Sequence, residues 1–190
     1  MPLINKPFVF MRHGETQANQ KSIFCGATDI PLNTAGKQQA IDAQTKIAAL
    51  KIDGATVISS PMLRAVETTE LALPDTTFTT DPDLSERNWG DLEMQPIIKQ
   101  VCYLETPPGG ESWEAFITRV TRAINRILST HDNPLIVAHS GVYRAIQFHL
   151  TGTPSGPRIP NATPIRFCPD SQGWKQQIID EQTNQRGTDK

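Results

Sequence analysis

The chain has 190 residues, 37% hydrophobic and 20% charged, with 18 Lys+Arg against 20 Asp+Glu for a net charge of −2. One domain is the default at this length, and a pI near 6.1 argues against a nucleic-acid-binding face, for which a pI above about 9 is expected. Gly and Pro, 12 and 15 residues, stay below the share that marks low-complexity disorder, so a folded core is expected over residues 1–180 as a single domain, followed by a polar tail at 181–190.

Phe8–Met11, after Pro7, is a four-residue apolar run that reads as a buried strand. It is too short for the roughly 7–15-residue core of a signal peptide, and no stretch approaches the roughly 20 apolar residues of a membrane span. Asn33 and Thr34 are candidate N-caps for a helix in which Gly36, Ala40, Ala43, Ile47 and Leu50 recur at helical spacing. Asp53-Gly54 marks a turn and Thr56–Ile58 a second strand. Pro61 suits the first turn of a helix carrying Leu63, Val66 and Leu73. Asp91–Glu111 has no clear period; a short helix at Ile97–Leu104 and a loop at Thr106–Gly110 are expected there.

The strongest helical period follows. Ser112 is placed to cap it, and Trp113, Phe116, Ile117, Val120, Ile124, Ile127 and Leu128 fall on one face. Leu135–Ala138 reads as a central strand, and a helix from Val142 to Leu150 stops at Thr151-Gly152. Ile165–Phe167 and Trp174–Ile179 flank the turn Pro169–Gly173 as a hairpin. Strands alternating with helices predict an α/β fold, a three-layer α/β/α sandwich with a mostly parallel sheet.

Cys25, Cys102 and Cys168 are odd in number and form no CxxC pair, which argues against a disulfide framework or a thiolate zinc site. They read as reduced thiols of a cytoplasmic protein. The four histidines show no HExxH spacing, so no metal site and no cofactor are expected. His131 and His149 are read as surface or packing residues, Trp89 and Trp113 as packing residues, and Arg144 as a structural ion-pair partner.

Three of the strands end in polar, reactive residues: Arg12-His13-Gly14-Glu15-Thr16, Ser59-Ser60-Pro61-Met62-Leu63-Arg64, and His139-Ser140-Gly141. In open α/β sheets the ligand crevice lies outside the carboxyl ends of the strands, so two arginines and two histidines should converge on one edge. Such a cluster calls for an anion, and Arg holds phosphate bidentately. Backbone N–H groups at the start of the helix after His139 would add donors.

Met11–Asn19, with its Arg-His-Gly-Glu-Thr core, resembles the signature of the histidine phosphatase superfamily, in its phosphoglycerate mutase-like branch. Phe24–Leu32, Ser59–Thr68, Leu84–Glu93 and Val137–Val142 resemble the family's further motifs, in the family's order. The resemblance implies a phosphoglycerate mutase-like fold with His13 as the nucleophile of a phosphohistidine intermediate. Arg12, Arg64 and His139 would surround the phosphoryl group, His139 as a protonatable contributor of positive charge. Glu86 would be general acid and base. Asn19, Cys25, Gly26 and Ser140 are the candidate substrate contacts, with burial as a small apolar residue an equal reading for Cys25. The chemistry agrees: an imidazole nucleophile must be neutral, nearby arginines disfavour its charged form, and its second nitrogen should donate to a backbone carbonyl that fixes the tautomer.

Three activities fit. A phosphatase passes the phosphoryl group to water, a 2,3-bisphosphoglycerate-dependent phosphoglycerate mutase passes it to a retained substrate, and a catalytically silent protein only binds a phospho-ligand. Both histidines, both arginines and Glu86 being present disfavours the third. Family mutases carry a longer insertion with paired arginines after the Glu motif, whereas Gln95–Gly110 holds Lys99 as its single cation; excluding water calls for more. Against this, Glu86–Gly90 is closer to the mutase wording, Ala27 stands where Trp is customary and Met94 where Gly is. The favoured reading is a metal-independent phosphatase of small phosphorylated metabolites, with no nucleic-acid or membrane partner and homo-oligomerisation left open.

Overall fold

Apolar runs covered on both faces make interior strands, and the computed structural model, which describes residues 1–52, 54–98 and 102–179, places the two purest runs side by side. Strand β1 (Phe8–Arg12) pairs in parallel with β4 (Leu135–Ala138), Phe10 opposite Ile136 and Arg12 opposite Ala138, and every residue of both is buried. The six-stranded sheet runs β3-β2-β4-β1-β5-β6, with β2 at Val57–Ser59, β3 at Thr79–Thr80, β5 at Pro164–Asp170 and β6 at Gly173–Ile178. Strands β1 to β4 are mutually parallel; β5 and β6 close one edge as an antiparallel hairpin. The short edge strand β3 carries no sequence signal: its two threonines are exposed.

Period-two alternation sends Phe8, Phe10, Ile136 and Ala138 to one face. There they meet Phe116, Val120, Ile124 and Leu128 of α4 (Trp113–Thr130) and Val142 and Ile146 of α5 (Ser140–Thr151). Val9, Met11, Leu135 and Val137 face the other way, onto Ala43 and Ile47 of α2 (Thr34–Ala49) and Ala65 and Ala72 of α3 (Leu63–Ala72). The expected three layers are therefore present. Asn33 caps α2 by accepting from the Gly36 amide at 2.8 Å, Ser112 caps α4 by accepting from Ala115 at 3.1 Å, and Gly152 ends α5 at φ +75°. The four-residue α1 (Gln17–Gln20) closes on a Thr16–Asn19 capping box.

Helix α3 departs from expectation. Leu63 is 41% exposed and Val66 and Leu73 are only half-buried, while Arg64, Ala65, Thr68, Thr69 and Ala72 are buried. Small residues let α3 approach α2 closely, and Arg64 faces inward because the loop carbonyls described below satisfy it. The helix expected at Ile97–Leu104 is also absent from its described part, Ile97–Ile98 and Cys102–Leu104; the Tyr103 and Glu105 carbonyls accept from the buried Arg87 guanidinium, each at 2.7 Å. Asp53, Lys99 and the tail at 181–190 lie outside the described residues. Among the described residues no helix is long and apolar enough to cross a membrane.

Candidate active site

Because β1, β2 and β4 are parallel and nearly in step, Arg12, Ser59 and Ala138 reach the same edge, and the residues that follow them meet there. The chain leaving β1 is held by His13 N–H donating to Ala138 O at 2.9 Å. The His13 Nδ1 lies 2.7 Å from Gly14 O. A carbonyl only accepts, so the proton sits on Nδ1 and Nε2 keeps its lone pair, as the sequence reading requires. Burial first, then the charges of Arg12 and Arg64, hold this imidazole well below its usual titration range. Gly14 is needed for the turn's packing: a Cβ there would collide with the Gly36 carbonyl at the start of α2.

His139, fully buried at the end of β4, puts its ring centroid 5.2 Å from that of His13. Its Nε2 is 2.7 Å from Ser60 Oγ, while its Nδ1 is buried without a protein partner. Burial, then Arg64 and His13, also push His139 well below the usual imidazole range. Where the sequence reading makes His139 a contributor of positive charge, its burial and the arginines beside it favour the neutral form instead. Arg12 Nη1 donates to Ile159 O at 3.2 Å and its Nε is buried and unpartnered. Burial, and secondly Arg158, lower Arg12 to about 10.

Arg64, fully buried, donates to Thr28 O at 3.1 Å and Gly26 O at 2.9 Å. The same Cys25–Thr28 loop is gripped from the other side by Glu93, whose carboxylate accepts from the Gly26, Ala27, Thr28 and Trp89 amides and from Thr28 Oγ1 at 2.8 Å. Burial alone would raise Glu93, but these bonds, Trp89's foremost, hold it below the usual carboxylate value. Next to it Met94 takes φ +62°, the left-handed conformation that a glycine adopts freely. The Gly26 amide is therefore spent on Glu93, and Gly26 is not in the cavity lining.

Glu86 Oε1 accepts from Arg87 N and Oε2 from Gly141 N, both at 2.9 Å. The α5 N-terminus was expected to present its amides to an anion; in fact the Gly141 amide is given to Glu86, and a Cβ at Gly141 would strike that carboxylate. The segment carrying Glu86 is fixed by Arg119, which donates to the Asp83, Ser85 and Glu86 carbonyls and pairs with Glu111 at 2.7 Å.

Arg12, His13, Asn19, Cys25, Glu86 and Ser140 line one cavity of about 640 Å³; Arg64, His139 and Gly26 are not in its lining. Asn19 turns Oδ1 to Thr16 N and Asn161 Nδ2, which leaves its Nδ2 donors for the cavity. Cys25 is half-buried with Sγ donating to Thr28 O at 3.3 Å, and burial pushes its thiol up. The lining also holds Trp89, Tyr103, Arg144 and Arg158. Trp89 is thus both packed, against Phe24 and Tyr103, and part of the wall. Arg144 has no acidic partner among the described residues, contrary to the ion pair expected of it, and its Nη1 is buried and unpaired. Tyr103 and Arg158 fall in aperiodic stretches, where sequence gives no signal. His131 and His149 bond Thr56 and Thr121 away from the site.

A profile of the histidine phosphatase superfamily (branch 1) matches residues 8–179. The chain belongs to that superfamily. Among curated relatives of this family, agropine synthesis reductase of Rhizobium rhizogenes is 34% identical over 152 residues, 73% of this chain but 34% of its own length, so this chain spans about a third of that protein. A 2,3-bisphosphoglycerate-dependent phosphoglycerate mutase of Cytophaga hutchinsonii is 33% identical, covering 79% of this chain and 78% of its own. The adenosylcobalamin/alpha-ribazole phosphatase of Escherichia coli is 31% identical over 76% and 79%. A crystal structure of a putative alpha-ribazole-5′-P phosphatase from Escherichia coli superimposes with a TM-score of 0.75 at 25% identity, covering 94% of this chain and 97% of that one.

Proposed function

We propose that this protein is a phosphohydrolase of small phosphomonoesters that works through a phosphohistidine on His13. The observation that carries the reading is the Nδ1–H bond to Gly14 O, which leaves a neutral, unprotonated Nε2 beside Arg12 at the cavity. In the first step Nε2 bonds to phosphorus as the ester P–O bond breaks, and protonated Glu86 gives its proton to the leaving oxygen. In the second, Glu86 carboxylate takes a proton from water as that water attacks the phosphohistidine, releasing inorganic phosphate and returning His13 to its neutral form. Arg12 and Asn19 in the lining, with the buried Arg64 and the unpartnered His139 Nδ1, are the candidate donors to the phosphoryl oxygens, where charge develops.

The arginines supply the charge that a metal would, so activity should survive chelation; loss in EDTA restored by a divalent ion refutes that. Three free cysteines support a cytoplasmic location. Labelled substrate should leave acid-labile, base-stable phosphate on His13, and turnover retained by His13→Ala overturns the assignment. A mutase is the second reading, favoured by the further cavity arginines Arg144 and Arg158. Single-turnover decay of the phosphoenzyme separates the two: rapid discharge to water marks a phosphatase, and discharge mainly to added 3-phosphoglycerate marks a mutase.

A further inference from the structure

We propose that Arg144 and Arg158 form a second anion subsite in the cavity, so that the preferred phosphomonoester carries another negatively charged group. The inference rests on reading the cavity as a phosphomonoester site and names its substrate class. Among the described residues, three arginines, Arg12, Arg144 and Arg158, line the cavity against a single carboxylate, Glu86, whose oxygens already accept from Arg87 and Gly141. Arg144 is 8% exposed, and its Nη1 is buried against Gly156 with no hydrogen-bond partner. Burying an unpaired cationic donor is costly, and the same guanidinium-bearing residue lines the cavity, where an anion would offset its charge. Arg158 faces the same space from the loop before β5, is exposed, and has no acidic partner among the described residues. After burial, its charge is the largest influence lowering Arg12, with Glu86 acting in the opposite sense.

Helix α5 contributes two of the lining residues: Ser140 opens it beside His139, and Arg144 follows at i+4, on the same face. A three-carbon skeleton with a second negative group at its far end is the simplest probe of the subsite. Carboxylate and phosphate both answer that chemistry.

The test compares 3-phosphoglycerate, glycerol 1,3-bisphosphate and glycerol 1-phosphate, which share a skeleton and differ in the far group. For the wild type, kcat/KM for one or both charged substrates should exceed that for glycerol 1-phosphate by about 10- to 100-fold, the effect of one charge-assisted contact; which one leads identifies carboxylate or phosphate. Arg144→Gln and Arg158→Gln should each pull that ratio toward one. A wild-type ratio near one, or losses in the same proportion on all three substrates, overturns the subsite. If Arg144→Gln does not fold, the exposed Arg158→Gln carries the comparison. Calorimetric binding of the same three compounds to His13→Ala protein reads the subsite without turnover. Charge preference there, with no hydrolysis by the wild type, keeps the subsite and sinks the phosphohydrolase; hydrolysis with no preference in either assay does the reverse.

Discussion

Glu93→Gln isolates what holds the loop that walls the cavity. The carboxylate accepts on Oε1 from Gly26, Ala27 and Trp89 and on Oε2 from Gly26, Thr28 N and Thr28 Oγ1. A glutamine has one acceptor oxygen. Its best orientation keeps that oxygen on Gly26, Ala27 and Trp89 and turns Nε2 to Thr28 Oγ1, which can accept in turn. The Thr28 amide is then the donor left without a partner, at about 1–3 kcal/mol, and the remaining bonds lose their charge assistance. A total of about 2–4 kcal/mol results, or a fall of about 1–2 M in urea midpoint for a slope near 2 kcal/mol/M. The pH dependence is the sharper signature. Glu93 titrates lower in the folded state than its ordinary value, so its contribution is fully present above the unfolded value of about 4.3 and is lost as pH falls through the folded one. The wild type should therefore exceed Glu93→Gln by a constant margin from about pH 6 to 8, and the margin should close below about pH 4. Urea titrations monitored by tryptophan fluorescence measure both. A difference under about 0.5 kcal/mol at pH 7, typical of an uninvolved surface change, or a margin indifferent to pH, refutes the argument.

Other outcomes follow from the site. Glu86→Gln should slow alkyl phosphates by about 10²–10⁴-fold but the phosphorylation step of p-nitrophenyl phosphate much less; equal losses in single-turnover rates would move the acid elsewhere. His13 is held well below its ordinary range, so the rate of phosphoenzyme formation should carry no acid limb from this group near pH 6.5, and a limb there that vanishes on His13 replacement would contradict its environment. Since His13 and His139 both titrate low when folded, the stability tied to their neutral forms is present above about pH 6.5 and lost as pH falls below it, seen as a declining urea midpoint at acid pH. Gly36→Ala drives a Cβ into the Glu15 backbone and should cost about 1–3 kcal/mol together with turnover, because the loop of His13 must shift; unchanged activity and melting would show that the turn tolerates it.

Much was readable along the chain because the determining forces are local or periodic. The unbroken apolar runs at Phe8–Met11 and Leu135–Ala138 predict interior strands, the Ser112-capped stripe of α4 and the Gly152 stop of α5 set helix ends, and strand-terminal Arg-His and His-Ser-Gly point to one catalytic edge. Tertiary structure decided what depends on partners distant in sequence. Arg64 is buried because carbonyls 36 and 38 residues away receive it; Glu93 became a loop anchor because five donors converge on it; Arg144 meets no acid among the described residues because the fold brings it to the cavity wall rather than to a carboxylate. Periodicity records which face of an element is apolar, not which polar group that face will meet, so the sequence pointed to the edge and to His13 as the candidate nucleophile, while packing decides the surroundings of both histidines and brings Arg12, Arg144 and Arg158 to the cavity lining.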